Sequence, residues 1–298
     1  METRMTLPSN ATWTHHGGNG PTAHFYGANG FPTGVYSPLL ARLAGHVTLH
    51  TLDLRPTWPK VGPPPVRRDW QMYADDLISF LEQTVDAPVI GMGHSMGATC
   101  TILAAARRPD LFKGLVLIEP AMLSRALALL ASILPKAAMN LTQPAKGTLK
   151  KTDTWKSRDA YLAHCRGKRM YSGLGDEAFA AMATHGVTET AGGLWSLAFP
   201  KVWEAHNYTQ PPNVMGELAG INLPCVALRA RPSVFFTEAL WAQWQRVSPG
   251  SVFLEDLSAG HLLPLEDPEG CCGLIASGMA EAGMTGEKET PAVSSGAS

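Results

Sequence analysis

The pentapeptide Gly93-His94-Ser95-Met96-Gly97 is the part of the sequence best suited to chemistry. It lies between a short apolar run and an alanine-rich stretch, a pattern that predicts a buried strand followed by a helix. In such a unit a sharp turn lifts the serine oxygen to the carboxyl edge of the sheet, and flanking glycines avoid collisions with neighbouring backbone. The backbone N–H of Met96, at the helix start, is placed to stabilise an oxyanion. The pattern therefore predicts a nucleophilic serine at position 95.

A serine hydroxyl is a weak nucleophile, so a general base is expected, and His261 is the candidate. It lies in a loop over residues 258–266, after the last strand pattern and before the last helix pattern. The other histidines come earlier, mostly within predicted helices, strands or the first loops. His94 adjoins the serine, but its side chain is expected on the other side of the turn. We predict that His261 takes the proton of Ser95.

Together these features resemble the α/β-hydrolase superfamily. The resemblance covers residues 22–120 and 223–268, and it rests on the serine turn, the glycine-rich loop after Tyr26 and the Gly260-His261 loop. It implies an α/β fold with a mostly parallel sheet, helices on both faces and a helical cap insertion. Superfamily members often carry His-Gly in the early loop, followed by the residue whose backbone N–H completes the oxyanion hole. Gly27-Ala28 occupy those positions here, so the resemblance implies Asn29 as the donor.

The acid of the site is not where many superfamily members carry it. They place an Asp after the strand that follows the insertion, and this chain has Ser233 there. Some members, among them haloalkane dehalogenases, place the acid at the end of the strand directly after the nucleophile helix. At that point stands Glu119, and a carboxylate ending a buried strand needs a hydrogen-bond partner such as a histidine N–H. We predict Glu119 as the acid, with Glu238 or Asp256 as alternatives.

The order Ser95, Glu119, His261 along the chain is that of the superfamily and implies a serine hydrolase that works through an acyl enzyme. Ester, lactone or thioester hydrolysis is favoured over amide or carbon–carbon cleavage, and the serine argues against the Asp-dependent dehalogenases and epoxide hydrolases.

Two other interpretations of the sequence stay open. The glycines at 91, 93 and 97 followed by Glu119 also fit a nucleotide-dependent oxidoreductase, and the same fold serves non-catalytic ligand-binding proteins.

The elements that must position these residues follow an alternating pattern of strands and helices, which is typical of α/β proteins. Strands are predicted over 22–26, 47–54, 88–93, 114–118, 224–228 and 251–257, and helices over 67–85, 96–107, 237–247 and after Pro268. Between 121 and 220 the alternation gives way to helical fragments. We predict an α/β core over 1–120 and 221–282, a helical cap over 121–220, and a disordered tail over 283–298.

Apolar side chains are frequent in the predicted cap and suggest where the substrate binds. They are expected to roof an apolar acyl pocket, the alternative being that they only pack the cap onto the core. The residues are Met122, Leu123, Leu127, Leu129, Leu130, Ile133, Leu134, Trp155, Phe179, Met182, Trp195, Phe199 and Trp203.

Composition excludes several classes of protein. The 298 residues are 45% hydrophobic and 16% charged, with a net charge of −1, which suits one large globular domain or a domain with an insertion. No Lys/Arg-rich run indicates a nucleic acid or an anionic membrane as partner, no window approaches the roughly 20 apolar residues of a membrane span, and the start lacks a secretory signal. The five cysteines are few and are not spaced as paired metal-ligand clusters, which predicts free thiols in a reducing compartment such as the cytoplasm. No cofactor or metal is expected, and the predicted partner is a small-molecule ester.

Overall fold

The core of the protein is a large, mostly parallel sheet, seen in a computed structural model that describes residues 2–7, 9–231, 233 and 236–285. Its described strands run in the order β1-β2-β4-β3-β5-β6-β10-β11, and a small second sheet has the order β7-β9-β8. The strands are β1 (Thr3–Thr6), β2 (Thr12–Gly17), β3 (Thr22–Tyr26), β4 (Thr48–Leu52), β5 (Val89–His94), β6 (Phe112–Ile118), β7 (Thr154–Trp155), β8 (Val187–Glu189), β9 (Trp195–Leu197), β10 (Cys225–Ala230) and β11 (Val252–Asp256).

Helices connect the parallel strands and fill the segment between β6 and β10. They are α1 (Ser37–Leu43), α2 (Gln71–Thr84), α3 (Met96–Arg107), α4 (Arg125–Ile133), α5 (Lys136–Met139), α6 (Ala145–Lys150), α7 (Arg158–Arg166), α8 (Asp176–His185), α9 (Lys201–Asn207), α10 (Met215–Gly220), α11 (Glu238–Val247), α12 (Leu263–Glu266) and α13 (Pro268–Glu281). Short 3-10 turns occupy Thr33–Tyr36, Arg55–Thr57, Pro109–Leu111 and Arg169–Tyr171.

The sheet is covered by helices on both faces because its central strands are apolar on both sides. Along β6, Leu115 and Leu117 join a buried cluster that includes side chains of α2, α3 and α11. The alternate residues Val116 and Ile118 join a second cluster with side chains of α1 and α13. A strand buried on both faces reads as a continuous apolar run, as expected for a parallel sheet. The predicted α/β architecture, a mostly parallel sheet with helices on both faces, is confirmed.

The N-terminal hairpin was not foreseen, since the first predicted strand is the one over 22–26. Strand β1 pairs antiparallel with β2, and β2 pairs antiparallel with β4, so the two extend one edge of the parallel sheet. Edge strands keep one side open to solvent, and the β1 residues are mostly exposed. Threonine, arginine and histidine at these positions leave only a weak apolar alternation to recognise.

The segment between β6 and β10 contains α4 to α10, as the helical pattern predicts, together with the small sheet of β7, β8 and β9 that it did not predict. The domain boundaries at 120 and 220 stay predictions. Most of the predicted tail, residues 286–298, lies outside the described residues. Its beginning departs from the prediction, since Met284 is buried and its sulfur lies where a side chain at Gly114 would stand.

The five cysteines are free and buried, as expected for structural thiols. A cytoplasmic location stays a prediction. Over the described part of the chain, no helix combines the length and apolar character that crossing a membrane requires.

Candidate active site

Ser95 lies on a sharp turn between β5, which ends at His94, and α3, which begins at Met96. Its backbone angles are φ 54° and ψ −117°. A non-glycine residue in such a sparsely populated region is strained by about 1–3 kcal/mol, which the surroundings must offset. One offsetting contact is the hydrogen bond from the Ser95 N–H to the carbonyl of Ile118, at 2.9 Å. The turn fixes the serine at the carboxyl ends of the parallel strands β5 and β6.

The glycines on either side of the serine are required by close backbone contacts. A Cβ at Gly97 would stand 2.1 Å from the carbonyl oxygen of Tyr26 and 2.5 Å from that of Gly27. A Cβ at Gly93 would stand 2.5 Å from the backbone nitrogen of Ala98. No side chain fits at such distances, so the spacing predicted from the pentapeptide has a steric origin.

The folded chain brings Ser95, His261 and Glu119 into one hydrogen-bonded row. His261 Nε2 lies 3.1 Å from Ser95 Oγ, and His261 Nδ1 lies 3.0 Å from Glu119 Oε2. With Nδ1–H donating to the carboxylate, Nε2 is left as the acceptor that faces the serine hydroxyl. This is the arrangement that a serine nucleophile and its base require.

Glu119 is fully buried at the end of β6 and is held by several donors. Its Oε1 accepts a hydrogen bond from the Ala230 N–H at 2.9 Å, and its Oε2 accepts one from Ser233 Oγ at 2.5 Å as well as facing His261. Such donors compensate for the loss of water around a buried carboxylate. Ser233 is the residue that stands where many superfamily members have their acid, and here it donates a hydrogen bond to Glu119 at the end of the neighbouring strand.

The two alternative acids are engaged in other contacts. Glu238 forms ion pairs with Arg229 at 3.1 Å and with Arg231 at 3.6 Å. Asp256 accepts hydrogen bonds from the backbone N–H groups of Ser258 at 2.7 Å and Ala259 at 3.0 Å. Asp256 therefore shapes the loop that leads to His261, whereas Glu119 contacts the imidazole itself.

His94 holds the backbone of His261, a contact that sequence reasoning missed. Its Nε2–H donates to the backbone carbonyl of His261 at 2.8 Å, and the two rings lie 5.1 Å apart. Its Nδ1 accepts from the Tyr36 hydroxyl at 2.8 Å, which in turn accepts from the Ala28 N–H at 3.1 Å. Burial, together with the neighbouring His261, holds the pKa of His94 well below its ordinary value, so the ring stays neutral. One hydrogen-bond chain thus joins the backbone of His261 to the loop after Tyr26.

The two predicted oxyanion residues both border the cavity that Ser95 borders. Met96 is the first residue of α3, where backbone N–H groups have no partner within the helix. The side chain of Asn29 is fixed from outside the loop, since its Oδ1 accepts from Asn207 Nδ2 at 2.8 Å and its Nδ2 donates to the Glu204 carbonyl at 3.0 Å. The loop that lacks the His-Gly pair is therefore braced by Asn207 and by the Tyr36 hydroxyl.

A cavity of about 320 Å³ opens beside the serine. Among the described residues, those that line it carry no Asp, Glu, Lys or Arg, and most of the side chains are apolar. They are Asn29, Trp70, Ser95, Met96, Ala121, Met122, Leu123, Met139, Thr142, Gln143, Pro144, Tyr208 and Pro211. The volume lies near the lower end of the range for small-molecule sites.

Of the thirteen apolar residues predicted to roof the pocket, eleven fall into three groups, while Leu134 and Trp195 are half-buried and belong to none of them. Met122 and Leu123 line the cavity. Five others are buried in the core clusters and pack the predicted cap onto the core, as the alternative interpretation held: Trp155, Phe179, Met182, Phe199 and Trp203. Leu127, Leu129, Leu130 and Ile133 are more than half exposed, so for these four the prediction was wrong. Helical periodicity indicates which face of a segment is apolar but not whether that face is buried.

The sequence of residues 15–274 matches the family model of the alpha/beta hydrolases. The chain belongs to the alpha/beta hydrolase family. It is 25% identical over 258 residues to 2-(acetamidomethylene)succinate hydrolase of Mesorhizobium japonicum, and the match covers 85% of each protein.

Solved structures of this family share the fold over nearly the whole chain. E-2-(acetamidomethylene)succinate hydrolase superposes with a TM-score of 0.76 at 22% identity, covering 94% of this chain and 99% of that one. The thioesterase domain from the curacin biosynthetic pathway gives 0.72 at 15% identity, covering 93% and 99%. At these identities the likeness establishes the fold, and the reaction must be argued from the site.

Proposed function

We propose that this protein is a serine hydrolase that cleaves a carboxylic ester, or a lactone or thioester, of a neutral and mainly apolar small molecule. The observation that carries the proposal is the row of hydrogen bonds from Ser95 through His261 to Glu119, at 3.1 and 3.0 Å, beside a cavity whose described lining is uncharged. Family membership supports hydrolysis in general. The serine, the acid and the class of substrate are our inference from the geometry.

Catalysis then proceeds in two half-reactions. Ser95 Oγ attacks the acyl carbon while His261 Nε2 takes its proton, and the carboxylate of Glu119 stabilises the imidazolium. The backbone N–H groups of Met96 and Asn29 bind the developing oxyanion, each contributing about 3–4 kcal/mol. His261 returns the proton to the leaving alkoxide or thiolate. Water then attacks the acyl enzyme while His261 takes its proton. The bond between the acyl carbon and Ser95 Oγ breaks, His261 returns the proton to Ser95, and the carboxylic acid product is released.

The lining of the cavity argues for an uncharged substrate. A succinate derivative, of the kind that gives the Mesorhizobium relative its name, is anionic and needs cationic side chains or ordered donors to replace its water. The described lining of the cavity contains no cationic side chain, and its Met122, Leu123 and Met139 side chains favour an apolar acyl group. We therefore place the substrate of this chain in a different class from that of the relative.

The oxidoreductase reading fits the structure poorly. Binding a ribose would require free oxygens on Glu119, and its two oxygens are already bound by Ala230, Ser233 and His261 inside the protein. Displacing these donors would leave buried polar groups unpaired. A non-catalytic ligand-binding role is compatible with the fold, and activity measurements separate it from hydrolysis.

A panel of p-nitrophenyl esters from acetate to dodecanoate, together with one ester that carries a free carboxylate, tests the proposal. We expect kcat/KM to rise and then fall with chain length, and the anionic ester to be at least about tenfold poorer than its neutral isostere, as follows from the cost of an unpaired buried charge. Ser95→Ala is the matched control and should fold normally but lose turnover. Equal turnover by Ser95→Ala, or a preference for the anionic ester, would contradict the proposal.

A further inference from the structure

Exposed apolar side chains are concentrated in one stretch, residues 121–152, which we call the α4–α6 segment. Of the large apolar side chains that the described part of the chain exposes, half lie in this stretch of about a tenth of the sequence. They are Leu127, Leu129, Leu130, Ile133 and Leu141, each between 51% and 71% exposed. A cluster of this kind marks a surface that binds something apolar.

Helix α4 is held in place without burying its leucines. Within it only Ala131 is buried among the described residues. Its first turn is capped by the side chain of Ser124, and its last turn is held by Arg68, whose guanidinium donates to the carbonyls of Ala131 at 3.2 Å and Leu134 at 2.8 Å. The polar contacts at the two ends therefore fix an apolar helix at the surface, with its leucines available to a partner.

The charge of the segment differs sharply from that of the whole chain. It contains five cations and no Asp or Glu, whereas the chain as a whole is balanced at −1. Lys151 is paired with Glu204, whereas Arg125, Lys136, Lys146 and Lys150 form no ion pair with the described residues. A segment that exposes both apolar side chains and cations matches a partner that is apolar within and anionic at its border.

The segment also forms the mouth of the cavity beside Ser95. Thr142, Gln143 and Pro144 line the cavity and are themselves exposed, so they stand at its opening. Leu141, 71% exposed, immediately precedes them. Leu141, one of the exposed apolar side chains of the segment, therefore adjoins the entrance of the cavity.

We propose that the α4–α6 segment binds an anionic lipid surface. The leucines and Ile133 enter the boundary between headgroups and acyl chains, and the four cations contact anionic headgroups. A second copy of the chain suits the surface less, because a two-fold contact would bring like charges together. The balanced charge of the whole chain gave no indication of such a surface, since the acidic residues that offset these cations lie elsewhere. The proposal goes beyond ester hydrolysis and does not rest on it.

Flotation with phosphatidylcholine vesicles, with and without 30 mol% phosphatidylglycerol, tests the proposal on the full chain. We expect binding to the anionic vesicles, little to the neutral ones, and a loss of about tenfold when salt rises from about 0.1 to 0.5 M. Leu130→Ser with Ile133→Ser should lower the partition coefficient about tenfold or more, and Lys146→Glu with Lys150→Glu should lower it at least as far.

The controls separate this inference from the proposed reaction. Leu257→Ser removes a side chain of the same exposure as Ile133 outside the segment and should bind vesicles like the wild type. Ser95→Ala should also bind normally, and Leu130→Ser with Ile133→Ser should keep its turnover of a soluble ester, since neither side chain lines the cavity. No binding to either vesicle, equal binding to both, or a concentration-dependent dimer abolished by the same double substitution would overturn the proposal.

Discussion

Replacing Glu119 by Gln should nearly abolish catalysis while leaving the fold intact, because the amide cannot satisfy all the donors around it. The Ala230 N–H can only donate, so the amide oxygen must face it and the amide NH2 must take the place of Oε2. That NH2 then points at His261 Nδ1, which lies 3.0 Å from Oε2 in the wild type. Because the NH2 donates, Nδ1 must accept, and the imidazole carries its proton on Nε2. In that tautomer Nε2 cannot accept the proton of Ser95.

The magnitude follows from the tautomer. When the orienting carboxylate of a serine-histidine pair becomes an amide, kcat falls by about 10⁴, which is about 5.5 kcal/mol of lost transition-state stabilisation. The alternative flip keeps the tautomer but sets the NH2 against the Ala230 N–H, which costs about 1–3 kcal/mol of stability for an unpaired buried donor. We therefore expect kcat to fall by about 10³–10⁴ with little change in KM.

Steady-state hydrolysis of a p-nitrophenyl ester measures this effect, with circular dichroism to establish that the variant is folded. Glu238→Gln is the matched control, since it makes the same change at a carboxylate that pairs with Arg229 and Arg231. It should keep wild-type kcat. If Glu119→Gln retains more than about a tenth of the wild-type rate, the acid lies elsewhere and the reasoning fails.

Three further perturbations test the surroundings of the site. Ser233→Ala should lower kcat about tenfold at constant KM, with Ser233→Thr restoring it, because one charged hydrogen bond to the acid is lost. Gly97→Ala should destabilise by about 3 kcal/mol in urea titration, since its Cβ meets two carbonyl oxygens at 2.1 and 2.5 Å; Gly216→Ala, with open space around it, should be neutral or better. Burial lowers the pKa of His24 to about 3 and of His50 to about 4. Below about pH 6.5, the ordinary pKa of histidine, the unfolded chain therefore binds more protons than the folded chain. The free energy of unfolding should therefore be largest above about pH 6.5 and fall progressively toward pH 4. A flat profile, or a free energy of unfolding that rises in acid, would show that His24 and His50 are not buried as neutral rings.

The parts of the fold and site that the sequence predicts are those encoded by local pattern. The apolar runs of β5 and β6 meet a requirement of parallel sheets, and the turn at Ser95 needs glycines for steric reasons that hold in any context. His261 could be predicted because it follows the last strand. Glu119 could be predicted because it ends the strand beside Ser95, whereas no local pattern indicates that Ser233 donates a hydrogen bond to it.

The parts that the sequence does not predict depend on contacts between distant residues. The hydrogen bond from His94 to the backbone of His261 joins residues 167 positions apart, and nothing local marks either of them for it. Asn207 supports Asn29 across a similar distance, at the end of a helix in the predicted cap. The exposure of α4 was missed for a related reason, since a segment rich in leucine gives the same pattern whether its apolar face is buried or left open.

Activation of Ser95 by His261 can be measured by covalent labelling with a fluorophosphonate, followed by intact mass and peptide mapping. We expect one label per chain on Ser95, none in Ser95→Ala, a labelling rate at least about a hundredfold lower in His261→Ala, and no change in Ser132→Ala, which removes an exposed serine of α4. An unlabelled wild-type protein, a label on another serine, or full-speed labelling without the imidazole would contradict it.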